Sequence, residues 1–405
     1  MDARRAAELA ARNSYGRLVA YLAAQTRDVA AVEDALGDAF LAALKNWSEN
    51  GVPKNPEAWL LVAARHRLID VARRSQVHDR VLNTFKLNEL ESQTEPVFDS
   101  VFPDDRLKLL FICAHPAINP AIHTPLMLQT VLGLNAVQIA SAFLVAPATM
   151  SQRLVRAKAK IRDAGIAFEL PAAKDLPARL AVVLEAIYAA YTNAWETVDG
   201  GDPRHRGLAE EAIWLARLCV QLMPQEPEAR GLLALMLYCE SRRDARRTAN
   251  GSYIPLLQQD TRLWSQPAIA QAEQQLTQGA TFKQLGRFQL EAAIQSIHVQ
   301  RAVTGQVDWE TLALLYEGLI QLSPTLGALV SQAAAIAQAK GLNQGLAHLN
   351  ALSLEAVKNY QPYWALKAHL LKQLGYKSEA QQAYLRAIGL TEDDAIREFL
   401  LHKSL

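Results

Sequence analysis

The stretch LNAVQIASAFLVAPATMSQRLVRAKAKIR, residues 134–162, contains two helical patterns separated by a short break. In the first pattern, Ile139 and Phe143 recur at the spacing of one helix face. Pro147 marks the break, since proline is tolerated in the first turn of a helix but not inside one. The second pattern, residues 148–162, is basic. A short helix, a tight turn and a basic second helix predict a helix-turn-helix, whose second helix enters the DNA major groove.

The second helix of this motif has an apolar and a polar face. Its inward-facing side chains are predicted to be Met150, Leu154, Val155 and Ile161. Glutamine and arginine on the other face can pair with the edges of adenine and guanine. The residues predicted to face bases and phosphates are Thr149, Ser151, Gln152, Arg153 and Arg156. Lys158 and Lys160, further along, are predicted to contact phosphate only.

Two helical patterns also occur near the N-terminus. The stretch DALGDAFLAALKNW, residues 34–47, begins with acids and has an apolar stripe predicted to be buried, formed by Leu36, Phe40, Leu44 and Trp47. A break rich in Asn, Gly and Pro follows at residues 48–55. The next helix, residues 56–74, is basic in its second half. Taken alone, such arginines usually form a solvated helix face.

In combination, these patterns resemble a known family. The pair of helices at 34–74 resembles region 2 of bacterial sigma factors. The pattern Ile-Ala-x-x-Phe-Leu-Val-x-x-x-Thr-Met-x-x-Arg-Leu-x-Arg-Ala-Lys, residues 139–158, resembles region 4 of the extracytoplasmic-function (ECF) group. The resemblance implies an initiation factor that binds core RNA polymerase and reads the −10 and −35 elements of promoter DNA.

The resemblance also implies roles for individual residues. Asp34, Asp38 and Leu41 would bind core polymerase. Residues 48–55 would form the loop that takes up an unpaired −10 base. The residues assigned to the −10 element are Trp47, Asn50, Lys54, Asn55, Arg65, Arg67, Arg73 and Arg74. A core position is the alternative for Trp47. The resemblance further allows the two DNA-binding domains to fold together in the free factor, with their DNA surfaces hidden.

The C-terminal half continues for more than 200 residues after the helix-turn-helix. The pattern Trp-x₃-Ala-x₂-Leu-x₃-Gly-x₄-Ala-x₃-Tyr-x₂-Ala, residues 364–387, is typical of a tetratricopeptide helix pair. Other segments resemble the extension of one ECF subgroup, among them Gln259-Asp260-x-Arg262-x-Trp264. Helical repeats usually bind proteins or peptides. The extension is therefore predicted to regulate the sigma core or to receive a protein or peptide partner.

The overall prediction is an all-α protein, since β-branched clusters and regular turn signals are scarce. The domains are predicted as residues 1–80 (region 2), 81–103 (linker), 104–170 (region 4) and 171–405 (tetratricopeptide-like extension). Three cysteines and no signal or membrane-length apolar segment favour a cytoplasmic protein. No enzyme motif is present, and neither a cofactor nor a metal is expected.

Three weaker patterns have ordinary structural explanations. Cys113 and His115 lack a second pair at the spacing of a zinc site. Asp260 and Arg262 favour an ion pair at a helix junction. The basic run of Arg242, Arg243, Arg246 and Arg247 favours a solvated helix face over contact with DNA or polymerase.

Two other classes of function remain open from the sequence. One is a helix-turn-helix regulator with a ligand- or protein-binding helical domain, and the other is a repeat-protein scaffold. Neither requires an acidic helix followed by an arginine-rich one, so residues 34–74 favour the sigma factor.

Overall fold

A computed structural model of the protein describes residues 3–74, 105–131, 133–143, 145–172, 174–196 and 203–404. Within these ranges the structure is helical, and its only β-structure is a single bridge between Arg247 and Tyr253. The predicted all-α class is therefore confirmed. None of the helices described is both long enough and apolar enough to cross a membrane. The chain forms two compact units, Met1–Leu215 and Ala216–Leu405. The predicted linker, residues 81–103, lies outside the described residues.

The first unit contains both sigma-like segments. Its helices are α1 (Ala3–Thr26), α2 (Val29–Asn50), α3 (Pro56–Arg74), α4 (Arg106–Cys113), α5 (Pro120–Thr130), α6 (Ala136–Ala142), α7 (Pro147–Asp163) and α8 (Leu176–Glu196), and α9 (Pro203–Leu222) crosses the boundary between the units. Helices α1 to α3 pack on one another, and α7 packs on α2, α5 and α6. Because α8 packs on α4 and α5, residues 171–215, which were predicted to belong to the extension, group with the first unit.

Side-chain caps determine where the functional helices begin. The Asp28 carboxylate accepts a hydrogen bond from the backbone N–H of Ala31 at 3.1 Å and starts α2. The Asn55 side chain accepts one from the N–H of Ala58 at 3.1 Å and starts α3. Pro147 occupies the first turn of α7, as predicted from the break in the helical pattern. Helices α3 and α7 begin within a residue of the predicted start, whereas α2 begins at Val29, before the acidic start predicted at Asp34, so Asp34 lies outside its first turn.

The second unit is a succession of helices that contact mainly their neighbours along the chain. They are α10 (Pro227–Glu240), α11 (Gln266–Ala280), α12 (Arg287–Thr304), α13 (Trp309–Leu322), α14 (Leu326–Lys340), α15 (Leu342–Asn350), α16 (Leu354–Val357), α17 (Gln361–Gln373), α18 (Lys377–Leu390) and α19 (Asp394–Ser404). Three apolar cores follow in order, formed by α12–α14, then α14–α17, then α17–α19. Each of these cores is shared by helices that follow one another along the chain.

The helix pair predicted from residues 364–387 is present as α17 and α18. Ala368 and Ala380 are buried between the two helices, together with Tyr384 and Ala387. Gly375, in the turn, has φ of +86°, a backbone conformation that favours glycine. The small residues allow the helices to approach closely, and the aromatic ring fills the space beside them.

Gly231 on α10 lies directly against the backbone at the start of α12. A Cβ at this position would lie 2.6 Å from the backbone nitrogen of Gln289 and 2.8 Å from the carbonyl carbon of Phe288. The approach is held by Glu228, whose carboxylate accepts the N–H groups of Phe288 and Gln289 at 3.0 and 3.1 Å. We expect Gly231→Ala to lower the free energy of unfolding by about 2 kcal/mol, because overpacking forces the two helices apart.

Urea denaturation followed by far-UV circular dichroism measures this effect, and Gly389→Ala is its matched control. Gly389 lies inside α18, and a Cβ there would meet no atom within 4 Å. Alanine should therefore stabilise α18 by about 0.5–1 kcal/mol through helix propensity alone. Equal effects of the two substitutions would contradict the close helix contact at Gly231.

Candidate nucleic-acid interface

One face of α2 carries the three residues predicted to bind polymerase. Asp34, Asp38 and Leu41 are spaced four and three residues apart, so they share a face of the helix, and all three are exposed. Leu41 is 68% exposed, although it is a large apolar side chain. Leu44, which was predicted to lie in the buried stripe, is also exposed, whereas Leu36 and Trp47 are buried as predicted. The face formed by these three side chains is thus accessible to solvent.

The basic helix α3 lies beside α2. Arg67 is exposed, and its Nε lies 3.9 Å from the Asp38 carboxylate. Arg65 is half-buried, and its Nη2 donates a hydrogen bond to the Tyr21 hydroxyl at 3.0 Å. Its guanidinium carbon also lies 5.5 Å from the centre of the Tyr21 ring. Arg65 is thus held by α1, and Arg67 is the more accessible cation. The side chains of Arg73 and Arg74, at the end of α3, lie outside the described part of the chain.

The loop between α2 and α3 presents polar side chains. Lys54 and Asn55 are exposed, as is Asn50 at the end of α2, although the Asn55 side chain also caps α3. Trp47 is buried and packs edge to face against Trp59, with the ring centroids 5.6 Å apart. A direct stack of Trp47 on a DNA base is therefore not available in this conformation. The core position that the sequence left open for Trp47 is the one observed.

Helices α6 and α7 form the predicted helix-turn-helix. Met150, Leu154 and Ile161 are buried, and Ala157 continues the same stripe. Val155 is 60% exposed, so the prediction that it faces inward is wrong. The reason is geometric, because position 155 lies about 100° around the helix from Leu154. The exposed polar side chains of α7 are Thr149, Ser151, Gln152, Arg153, Arg156, Lys160, Arg162 and Asp163.

Lys158 differs from the other predicted DNA contacts. It is 7% exposed, and its ammonium group forms an ion pair with the Glu33 carboxylate on α2. Burial raises the pKa of Glu33, and the positive charge of Lys158 opposes that effect. A second, more exposed contact joins the same helices, with Arg162 Nη1 3.7 Å from the Asp28 carboxylate. In this conformation Lys158 therefore holds α7 on α2 and is not available to a DNA phosphate.

A cavity of about 630 Å³ lies beside the exposed face of α7. Arg153, Arg156 and Lys160 line one side of it, and residues 117–119 and 121–122, before and within the first turn of α5, line the other. Sequence reasoning missed the contribution of α5, because the helical pattern of residues 120–130 contains no charged residue to single it out. The three cations nevertheless make this surface positive, as an interface with a phosphate backbone requires.

Cys113 and His115, the two residues weighed as zinc ligands, make contacts within the fold. Cys113 is fully buried, with its Sγ 3.5 Å from the Thr130 hydroxyl, and burial raises the pKa of the thiol to about 12. The Nδ1 of His115 accepts a hydrogen bond from the N–H of Ala117 at 3.1 Å. Across the described ranges, no group of three or more histidine, cysteine, aspartate or glutamate side chains is arranged to hold a metal ion.

Comparison with known proteins gives two family matches and one close relative. The family described as Sigma-70 region 2 matches residues 11–77, which include α2, α3 and the loop between them. A family of unknown function, DUF6596, matches residues 179–280. An uncharacterized protein of Rhizobium meliloti (strain 1021) is 38% identical over 368 residues, which cover 90% of this chain and 87% of the relative. The chain belongs to the same family as this Rhizobium meliloti protein and, through region 2, is a sigma-70 family factor.

Proposed function

We propose that the protein is an ECF-type sigma factor that binds core RNA polymerase and selects promoters by their −10 and −35 elements. The observation that carries this proposal is the exposed face of Asp34, Asp38 and Leu41 on α2, inside the segment that matches region 2. A regulator that binds duplex DNA alone has no need of such a protein-binding face. The chain acts in the cytoplasm, where polymerase is, and it performs no catalytic step of its own.

Recognition of the −35 element is assigned to α7. Its exposed side chains include Gln152 and Arg153, which can form paired hydrogen bonds with adenine and guanine. Recognition of the −10 element is assigned to the loop at 48–55 and to Arg67. Unpaired bases are accessible only once the duplex has opened, which requires the contact with polymerase to form first.

In the first unit α7 packs on α2, an arrangement that we call closed and that must open on a promoter. The −10 and −35 elements are about 25 base pairs apart, or roughly 85 Å at the rise of B-DNA. Helix α2 has 22 residues, which span about 33 Å. Since α7 touches α2, the two DNA-binding surfaces cannot reach both elements together. Binding to polymerase therefore has to separate α7 from α2.

The second unit is proposed to be a tetratricopeptide-like extension that regulates this opening or receives a protein partner. The neighbour-to-neighbour packing of α12–α19 supports this role, since helical repeats present extended surfaces to peptides and proteins.

The test is initiation by purified bacterial core polymerase on genomic DNA, with and without the full chain, followed by mapping of the 5′ ends. New start sites that share −10 and −35 sequences support the proposal. Binding to duplex DNA without any new start site supports a helix-turn-helix regulator instead. A chain that ends at Leu222, after α9, tests the extension, because equal output from both chains would remove its regulatory role.

Within this proposal, Arg153 and Lys160 have distinct effects on DNA binding. Both are exposed cations on α7 beside the same cavity. We expect Arg153→Ala to weaken binding to the −35 duplex by roughly 10- to 100-fold and to relax specificity at one position, because it removes a base contact. Lys160→Ala should weaken binding to all sequences alike and reduce the salt slope by about one, because it removes a phosphate contact.

Fluorescence anisotropy with labelled duplexes, titrated at several salt concentrations, separates the two effects. The duplex carries the −35 sequence that the mapped start sites define, and a scrambled duplex is the control. If both substitutions weaken binding to the two duplexes equally, Arg153 makes no contact that depends on base identity.

A further inference from the structure

The second unit contains a buried group of hydrogen-bond donors that the proposed function does not use. It lies where the segment after α10, residues 241–265, packs against α12. Arg242 is 6% exposed, and its Nη2 donates to the side-chain oxygen of Gln295 on α12. Its Nη1 is buried and has no hydrogen-bond partner among the described residues. A buried donor without a partner is costly, so the position of Arg242 requires an explanation.

His298 adds a second nitrogen to this group. It lies one turn after Gln295 on α12, and its Nδ1 is likewise buried without a partner among the described residues. The pKa of His298 is lowered to about 4, first by burial and then by the positive charges of Arg242 and Arg301. Gln295, His298 and Arg301 are spaced three residues apart along one face of α12, and Arg242 is bonded to the first of them. An imidazole that is neutral at pH 7 can donate one hydrogen bond.

Trp264 supplies the third donor. Its ring is 3% exposed, and the indole Nε1 has no partner in the described part of the chain. The Arg301 guanidinium lies 5.2 Å from the centre of this ring. The N–H of Ser265 donates to the carbonyl of Ser241 at 2.8 Å, which ties the residue after Trp264 to the residue before Arg242. Trp264 and Arg242 are thus brought together by the fold of residues 241–265.

Among the described residues, neither Arg242 nor Arg301 forms an ion pair with a carboxylate. Arg301 donates to the backbone carbonyls of Leu256, Leu257 and Gln259 at 3.0, 2.7 and 3.2 Å. These neutral acceptors leave the positive charge of the guanidinium in place. Glu291, on the same face of α12, is 2.7 Å from Arg287. Asp260 forms its ion pair with Arg262 at 2.7 Å. Arg242 therefore keeps its positive charge where little water reaches it, whereas Arg301 is partly exposed.

We infer that this group, Arg242, Trp264 and His298, is a binding site for a small anion, either a chloride ion or the carboxylate of a small molecule. The donors come singly from three side chains, because Nη2 of Arg242 is already bound to Gln295. Three such nitrogens, each on a different side chain, can donate to one acceptor atom, such as a halide or one carboxylate oxygen. Arg301 contributes charge and fixes the ring of Trp264. This inference does not depend on the proposed sigma function.

The experiment uses the full chain labelled with ¹⁵N-histidine, at pH 7 and at constant ionic strength set with sodium methanesulfonate. Sodium chloride and sodium acetate are the two probes. We expect one of them to shift the His298 resonances saturably and to raise the thermal unfolding midpoint with the same Kd. At 100 times that Kd the rise should be about 5 °C. A response to chloride alone identifies a halide site, and a response to acetate identifies a carboxylate site.

Arg242→Gln removes the central charge and should abolish both responses. Arg262→Gln is the matched control, because Arg262 belongs to the same segment but is exposed and pairs with Asp260. It should leave both responses unchanged. If Arg242→Gln does not fold, the titration of the native chain with chloride and acetate, followed by the His298 resonances, still tests the inference. No saturable shift with either probe, or the same shift in native and Arg242→Gln proteins, would mean that water satisfies these donors, and the inference would fail.

Discussion

Replacing Leu41 with aspartate is expected to weaken binding to core RNA polymerase by roughly 100-fold, or about 3 kcal/mol. Leu41 is exposed in the free chain, so its apolar surface can be covered only by a partner. The substitution removes that surface and places a charge where the partner must exclude water. Competition between labelled native chain and the Leu41→Asp variant for purified core polymerase measures the change in affinity.

Val303→Asp is the matched control for this experiment. Val303 is 90% exposed at the end of α12, outside the segment that matches region 2. It should bind polymerase as the native chain does, and both variants should unfold at the native temperature because neither position is buried. If Leu41→Asp competes as well as the native chain does, the face of α2 that carries Leu41 is not the polymerase-binding surface.

The helix-turn-helix could be predicted from the sequence because its signals are local. The break at Pro147 and the spacing of Met150, Leu154 and Ile161 all belong to the one helix that they define. The same locality explains the error at Val155, because Leu154 and Val155 are both apolar and a pattern alone does not say which of them the stripe includes. The buried stripe passes through Ala157, and Val155 is therefore exposed.

The surroundings of Lys158 and Arg242 could not be predicted, because their partners are distant along the chain or depend on irregular structure. Glu33 precedes Lys158 by 125 residues, and nothing in the local pattern of α7 indicates a carboxylate beside it. Arg242 was predicted to lie on a solvated helix face. Helix α10 instead ends at Glu240, and residues 241–265 form turns that bury Arg242. The helical spacing of apolar residues does not predict the fold of an irregular segment like this one.

Loss of the Lys158–Glu33 ion pair is expected to shift the first unit from its closed arrangement to an open one. Lys158→Met leaves the Glu33 carboxylate buried without its partner, which costs about 3 kcal/mol and corresponds to a roughly 100-fold change in the ratio of closed to open chains. Spin labels on Lys45→Cys and Gln152→Cys, both exposed sites, report the distance between α2 and α7 by double electron–electron resonance spectroscopy. The distance distribution should gain a long component in Lys158→Met.

Two variants separate this pair from a general effect of charge. Arg162→Met removes the exposed contact with Asp28 across the same helices, and such a pair contributes less than about 1 kcal/mol, so the distances should stay close to native. Exchanging the two residues, by Glu33→Lys with Lys158→Glu, should restore the closed form because it restores the pair. Because a promoter requires separated DNA surfaces, Lys158→Met should also start transcripts at a lower concentration of factor than the native chain. Native distances in Lys158→Met would show that apolar packing alone holds α7 on α2.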